Sequence, residues 1–208
     1  MTAQGRFITL EGIDGAGKST HVSWIRDQLA GRGHRLVATR EPGGTPLGER
    51  LRELLLGEAM THDTEALLMF AARREHVEQV IRPALVRGDW VLCDRFTDST
   101  YAYQGGGHGV SVERIAQLES WVHGDCLPDL TLLFDVTSEV SRERLARNAR
   151  DGRVLDKFER EYEAYFERVR EVYLQRARAE PHRFRVIDAS KSVDEVRAQL
   201  NRVLEGLQ

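Results

Sequence analysis

The chain has 208 residues, 41% of them hydrophobic, which suits a single domain built around one core. A formal net charge of −3 argues against a broad nucleic-acid-binding surface. Residues 1–5 are polar and no apolar run approaches the ~20 residues a bilayer requires, so neither a secretory signal nor a membrane span is expected, and a cytoplasmic location follows.

The first predicted strand covers 6–11, Arg6-Phe7-Ile8-Thr9-Leu10-Glu11. It runs directly into Gly12-Ile13-Asp14-Gly15-Ala16-Gly17-Lys18-Ser19, a complete GxxxxGK[ST] loop, and then Thr20 within a helical pattern over 18–32. Glycines at these positions let successive N–H groups turn toward one anion at the positive end of a helix. Lys18 then reaches the outer phosphates of a nucleoside triphosphate, and the Ser19 hydroxyl helps to hold Mg²⁺.

A second strand, 34–39, leads into Thr39-Arg40-Glu41-Pro42-Gly43-Gly44-Thr45. This segment reads either as a rigid turn or as a cation and a carboxylate set at a strand end to hold phosphate and sugar hydroxyls. Helical patterns follow at 46–57 and 63–87, the latter with Asp63 or Thr64 available as a cap and a kink or break expected at Pro83. The third strand, 89–94, is apolar and ends in Asp94, in the manner of a strand whose carboxylate assists Mg²⁺ through water. Arg95 follows it and is able to grip a phosphate at two points, although an Asp-Arg pair also occurs as a plain surface ion pair.

Next comes Asp98-Ser99-Thr100-Tyr101-Ala102-Tyr103-Gln104-Gly105-Gly106-Gly107. The glycines alone suggest a flexible loop, whereas hydroxyls and an amide beside two aromatics suggest a pocket for a planar base. A helix at 111–126, a strand at 129–135 and a helix at 137–149 precede an arginine-rich stretch. Arg142, Arg144, Arg147, Arg150 and Arg153 there form either a solvated face or a lid bringing cations onto a transferring group. A helix at 157–179, a strand at 184–188 and a helix at 192–206 complete the pattern. Cys93 falls in a strand and Cys126 at a helix end, without metal-ligand spacing, and both read as inert buried thiols. Alternating strands and helices predict an α/β fold, a parallel sheet covered on both faces, with ligands beyond the carboxyl ends of its strands.

Taken in order, Glu11–Thr20, Thr39–Thr45, Asp94-Arg95-Phe96, Ser99–Gly107 and Ile187-Asp188-Ala189 resemble the thymidylate kinases, over nearly the whole chain. The resemblance implies a P-loop NTPase of three α/β/α layers, with a five-stranded parallel sheet, as one domain over 1–208 with a lid at about 142–157. It also implies transfer of phosphate from ATP to dTMP with Mg²⁺, and a homodimer. Transferred position by position, Gly12 to Thr20 bind ATP, and Ser19 and Asp94 stand on the metal side. Asp14 lies close to the acceptor's sugar and phosphate. Glu41 and Pro42 line the acceptor pocket, Arg52 and Arg95 hold the acceptor phosphate, and Ser99, Thr100 and Gln104 address the base region. Arg73, eight residues after Glu65, addresses the thymine carbonyl, and Tyr103 disfavours a 2′-hydroxyl.

Two departures matter. Where relatives stack a Phe on thymine, Met69 stands here with Phe70 next to it. Met69 shares a helix face with Arg73, while Phe70 turns aside by about 100°; both residues also suit an ordinary helix core. The phosphate loop has no arginine, since Gly15 follows Asp14, so the resemblance is to the bacterial type in which the lid supplies that charge. Lys157 stands where the lid usually has Arg, which leaves Arg153, Arg150 and Arg147 as candidates, in that order. The catalytic set implied is therefore Lys18, Arg95, Asp14 and one of Arg153 and Arg150. A related enzyme with a different acceptor, or a nucleotide-dependent switch, are the alternatives that the residues leave open.

Overall fold

The computed structural model describes residues 5–148 and 157–207. The strands are β1 (Phe7–Glu11), β2 (Leu36–Arg40), β3 (Trp90–Asp94), β4 (Leu130–Asp135) and β5 (Phe184–Asp188). They form one five-stranded sheet in the order β2-β3-β1-β4-β5, every pair parallel. β1 sits at the centre, with Leu10 opposite Asp94 on one side and Leu132 on the other. Its five residues are all buried, as expected for a strand covered on both faces. The sequence places each strand to within two residues.

Side-chain alternation sends neighbouring strand residues to opposite layers. Ile8, Leu10, Leu92 and Phe134 pack with Ile25 and Leu29 of α1 (Lys18–Gly31) and with Val196, Leu200 and Leu204 of α9 (Val193–Glu205). Phe7, Val91 and Cys93 pack instead with Val77, Ile81 and Ala84. The remaining helices are α2 (Pro46–Gly57), α3 (His62–His76), α4 (Arg82–Val86), α5 (Thr97–Thr100), α6 (Val112–Val122), α7 (Ser138–Asn148) and α8 (Lys157–Ala179). Among the described residues no helix is long and apolar enough to cross a membrane.

Four expectations need correction. The cap of α3 is Thr61, whose hydroxyl accepts from the Thr64 N–H at 3.3 Å, rather than Asp63 or Thr64. The break at Pro83 appears upstream, as a π-helical turn over Val77–Ile81 between α3 and α4. Pro83 has no N–H for the preceding turn, and widening that turn lets the helix continue. Cys126 lies beyond its helix, because α6 stops at Val122 and Gly124 takes a positive φ of 32°. Residues 97–107 are helical, not a flexible loop: α5 runs into a π-helical segment, Tyr101–Gly107. The glycines there admit a neighbour, since a Cβ on Gly106 would stand 2.5 Å from a Val172 methyl of α8.

Candidate active site

Three strand ends converge on one cleft. After β1 the chain turns at Gly12, with φ +136°, where a Cβ would lie 2.4 Å from the Phe134 carbonyl oxygen. Only glycine satisfies both demands. Gly17, left-handed at φ 91°, caps α1 and aims the helix N-terminus at the loop. Lys18 Nζ donates to the carbonyls of Gly12 at 2.8 Å and Ile13 at 3.2 Å. Burial, with Arg95 second, pushes its ammonium down to about 7. A bound polyphosphate reverses that shift, because an opposite charge favours the protonated form.

After β3 comes Arg95, a non-glycine residue at φ +72°. That conformation is costly and survives only where its surroundings enforce it. They do so through Glu11. Its carboxylate accepts from the Phe96 N–H at 2.7 Å, the Ser99 hydroxyl at 2.6 Å and the Tyr173 hydroxyl at 2.9 Å. Burial first, then Asp98, raises the Glu11 carboxyl to about 7. The Arg95 fork is thus held in the cleft, donating to Asp14 at 2.6 Å, Tyr103 at 2.9 Å and Ser99 at 3.1 Å, with its guanidinium 4.7 Å above the Tyr103 ring. Asp94 Oδ1 is buried without a hydrogen-bond partner.

After β2 the Glu41–Pro42 peptide is cis, and Glu41 is buried. Arg73 Nε donates to Glu41 at 2.7 Å, and His76 Nδ1 meets its other oxygen at 2.9 Å. Burial opposes ionisation here, but the charges of Arg73 and His76 and their hydrogen bonds hold the carboxyl below its ordinary range. Arg73 Nη2 donates to the Thr100 hydroxyl at 3.1 Å, and the guanidinium lies between the Phe70 and Phe96 rings at 4.8 and 5.1 Å. Its Nη1 is buried and unpartnered. Gln104 donates to Glu65 at 2.6 Å, and Arg52 to the Pro42 carbonyl at 3.0 Å.

Two adjoining cavities result. One, of about 640 Å³, is lined by the phosphate loop from Asp14 to Thr20 together with Arg144, Arg147, Ala189 and Lys191. The other, of about 350 Å³, is lined by Glu41, Pro42, Glu65, Met69, Arg73, Ser99, Thr100, Tyr103 and Gln104, among others. Asp14, Arg52, Asp94 and Arg95 line both.

Most of the expected residues are therefore assembled. Gly12 and Ile13 sit behind the cavity wall, offering carbonyls to Lys18. Phe70 does not reach the second cavity: it is 1% exposed, in a core cluster with Ala66, Tyr101 and Ile115, because it lies about 100° around the helix from Met69. Arg40, offered at the strand end as a phosphate or sugar contact, lines the second cavity and pairs with Glu49 at 2.7 Å. Arg150 and Arg153 lie outside the described residues. Of the arginines in that stretch, Arg144 turns inward to the Ala189 carbonyl at 2.8 Å, while Arg147 is exposed.

Glu11, Glu65, His76 and Tyr173 were given no role from the sequence, and Arg144 was named there only as one of the arginines of the lid stretch. Glu11 carried a weak signal, a carboxylate closing a mostly apolar strand, whereas Tyr173 is one aromatic among several on a long helix.

The fold and the paired cavities define a P-loop nucleotide-binding protein with a second pocket facing the phosphate loop. The thymidylate kinase family model matches residues 10–200. Thymidylate kinase of Bordetella petrii is 62% identical over 207 residues, covering 100% of this chain and 98% of that protein. Thymidylate kinase of Cupriavidus metallidurans is 59% identical, covering 98% and 100%. The crystal structure of thymidylate kinase from Ehrlichia chaffeensis superimposes with a TM-score of 0.78 at 34% identity, covering 99% of this chain and 100% of that one. The chain belongs to the thymidylate kinase family.

Proposed function

We propose that the chain phosphorylates dTMP to dTDP with ATP as donor, and that the two cavities hold the two nucleotides with the reacting phosphates at their junction. The observation that carries this is the junction itself, where Arg52 and Arg95 line both cavities and Arg95 is locked beforehand by Asp14, Ser99 and Tyr103.

In this reading the loop from Gly12 to Thr20 cradles the donor phosphates and Lys18 leaves its carbonyl partners for them. Arg95 and Arg52 hold the acceptor phosphate in line, so positioning and charge compensation do most of the catalytic work. The attacking oxygen is already anionic and needs no strong base. Arg73 Nη1, a buried donor without a partner, offers itself to a base carbonyl, and Thr100 and Gln104 set the base plane. Met69 covers the base in place of an aromatic ring, and Tyr103 packs under the sugar.

Mg²⁺ fits the donor set: Asp94 Oδ1 is an unpartnered buried oxygen and Ser19 supplies a hydroxyl on the same cavity wall, both hard ligands. Asp94 and Ser19 would hold the ion, and the chemistry it would supply is charge neutralisation at the transferring phosphate. A lid arginine supplies the remaining charge. Arg153 and Arg150 are the candidates by resemblance, with Arg147 in the cavity wall as a third.

We further propose a homodimer acting in the cytoplasm. Leu67 of α3 and Trp121 of α6 are 55% and 80% exposed on helices beside the sheet, the type of apolar surface a partner covers. Cys93 and Cys126 are buried and unpaired, which suits a reducing compartment. Sedimentation at micromolar protein should give twice the chain mass; a single-chain mass rejects the dimer.

The direct test is ADP release from ATP–Mg²⁺ with dTMP, dUMP, the thymine ribonucleotide, dCMP, dGMP or thymidine. Strong turnover with dTMP, less with dUMP and little with the ribonucleotide is expected. Equal slow release in every tube, including one lacking acceptor, rejects the kinase assignment.

A further inference from the structure

At the rim of the second cavity, His62 opens α3, Glu65 follows one turn later on the same helix face, and His108 ends the π-helical segment opposite. One ligand atom from each lies within 4.8 Å of the others, and among the described residues this is the only such group of three His, Cys, Asp or Glu side chains. The two imidazoles stack with centroids 4.0 Å apart and planes 11° from parallel, and His108 Nε2 is 3.9 Å from Glu65 Oε1. A tetrahedral site with ~2 Å bonds sets its ligand atoms about 3.3 Å apart, so side-chain rotation suffices to close this group.

We propose that His62, Glu65 and His108 form a binding site for a first-row divalent transition-metal ion, Zn²⁺ being the best match. Two imidazole nitrogens and one carboxylate are a borderline donor set, which selects Zn²⁺, Co²⁺ or Ni²⁺ over the hard cations that prefer all-oxygen sites. His108 Nε2, the nitrogen nearest Glu65, also lies 3.2 Å from the Tyr165 hydroxyl on α8, a bond that metal coordination replaces.

The site has a route to the reaction. Glu65 Oε1 is the atom that accepts from Gln104, so an ion that recruits Glu65 competes with that bond. Resting on the proposed acceptor pocket, the consequence is a raised KM for dTMP at unchanged kcat when Zn²⁺ occupies the site.

Tag-free full-length protein is titrated with Co²⁺ without nucleotide, following the visible ligand-field bands and then their loss on adding Zn²⁺. One saturable equivalent is expected in wild type, with affinity weakened more than about tenfold in both His62→Asn and His108→Asn. Ions held at the phosphate loop persist in the double variant and are thereby told apart. A double variant whose titration superimposes on that of wild type, or no bands at millimolar Co²⁺, overturns the site. The kinetic arm is separate: if Co²⁺ binds as expected while KM for dTMP ignores Zn²⁺ in wild type, the metal site stands and its link through Glu65 to Gln104 fails.

Discussion

Arg73 joins two demands in one side chain. Its Nε neutralises Glu41 while Nη2 meets Thr100, both well away from water, so the guanidinium is fixed before any nucleotide arrives. Arg73→Ala leaves Glu41 a buried carboxylate with only His76 beside it, and chemical denaturation should register a loss of about 3–5 kcal/mol. Thr100→Val spares that pair, and dTMP affinity by calorimetry should fall by about 1–2 kcal/mol, roughly tenfold. Lys18→Ala should keep dTMP binding while kcat drops by about 10²–10³; a folded variant with full turnover refutes the assigned role. His123 yields a pH prediction. It is buried against Thr97 at 2.6 Å and Phe96, and burial first, then Arg73, pushes it down to about 4 from 6.5. The unfolded chain therefore binds the extra proton first: stability from this group is complete above pH 6.5 and falls as pH drops toward 4, by up to about 3 kcal/mol. His123→Asn should flatten that slope in urea titrations taken between those pH values. Lys18, Arg95 and Asp14 were legible in the sequence because each abuts a glycine turn or a strand end. Glu11 and Tyr173 were not, since their importance arises from a hydrogen-bonded chain whose ends lie 162 residues apart.

The elements that hold these residues depend on close approach more than on propensity. α8 lies so tightly on the π-helical segment that a Cβ added to Gly106 would meet both a Val172 methyl and, at 3.1 Å, the Arg168 carbonyl oxygen. Gly106→Ala forces one helix off the other and should cost about 1–3 kcal/mol by thermal or urea unfolding, with KM for dTMP rising because Tyr103 and Gln104 ride on the displaced segment. The strands were legible because buried parallel strands are short apolar runs between breakers, as in Trp90 to Asp94. The helical character of 97–107 was hidden, since three successive glycines disfavour a helix taken alone; packing by α8 and the Asp98 ion pairs with Arg176 and Arg183 override that preference. The same limit explains Pro83, whose effect falls in the turn before it.

The whole molecule presents two cavities on one side of a parallel sheet, and each nucleotide bound there should add its own stabilisation to the folded state. ATP or dTMP at about 100 times its dissociation constant should contribute about 2.7 kcal/mol, visible as an upward shift in unfolding temperature. Because the cavities share Arg52 and Arg95, the shift with both nucleotides present should differ from the sum of the two separate shifts. The Thr39 hydroxyl meets His76 Nε2 at 2.7 Å, which extends the bonds of Glu41 and Arg73 into a chain, Thr39–His76–Glu41–Arg73–Thr100, with a longer-range consequence. Drawn from three elements and the turn after β2, these side chains share their hydrogen bonds in series, so altering one strands the next. Substitutions along the chain should therefore be non-additive, the double variants losing less than the sum of the single losses in unfolding free energy.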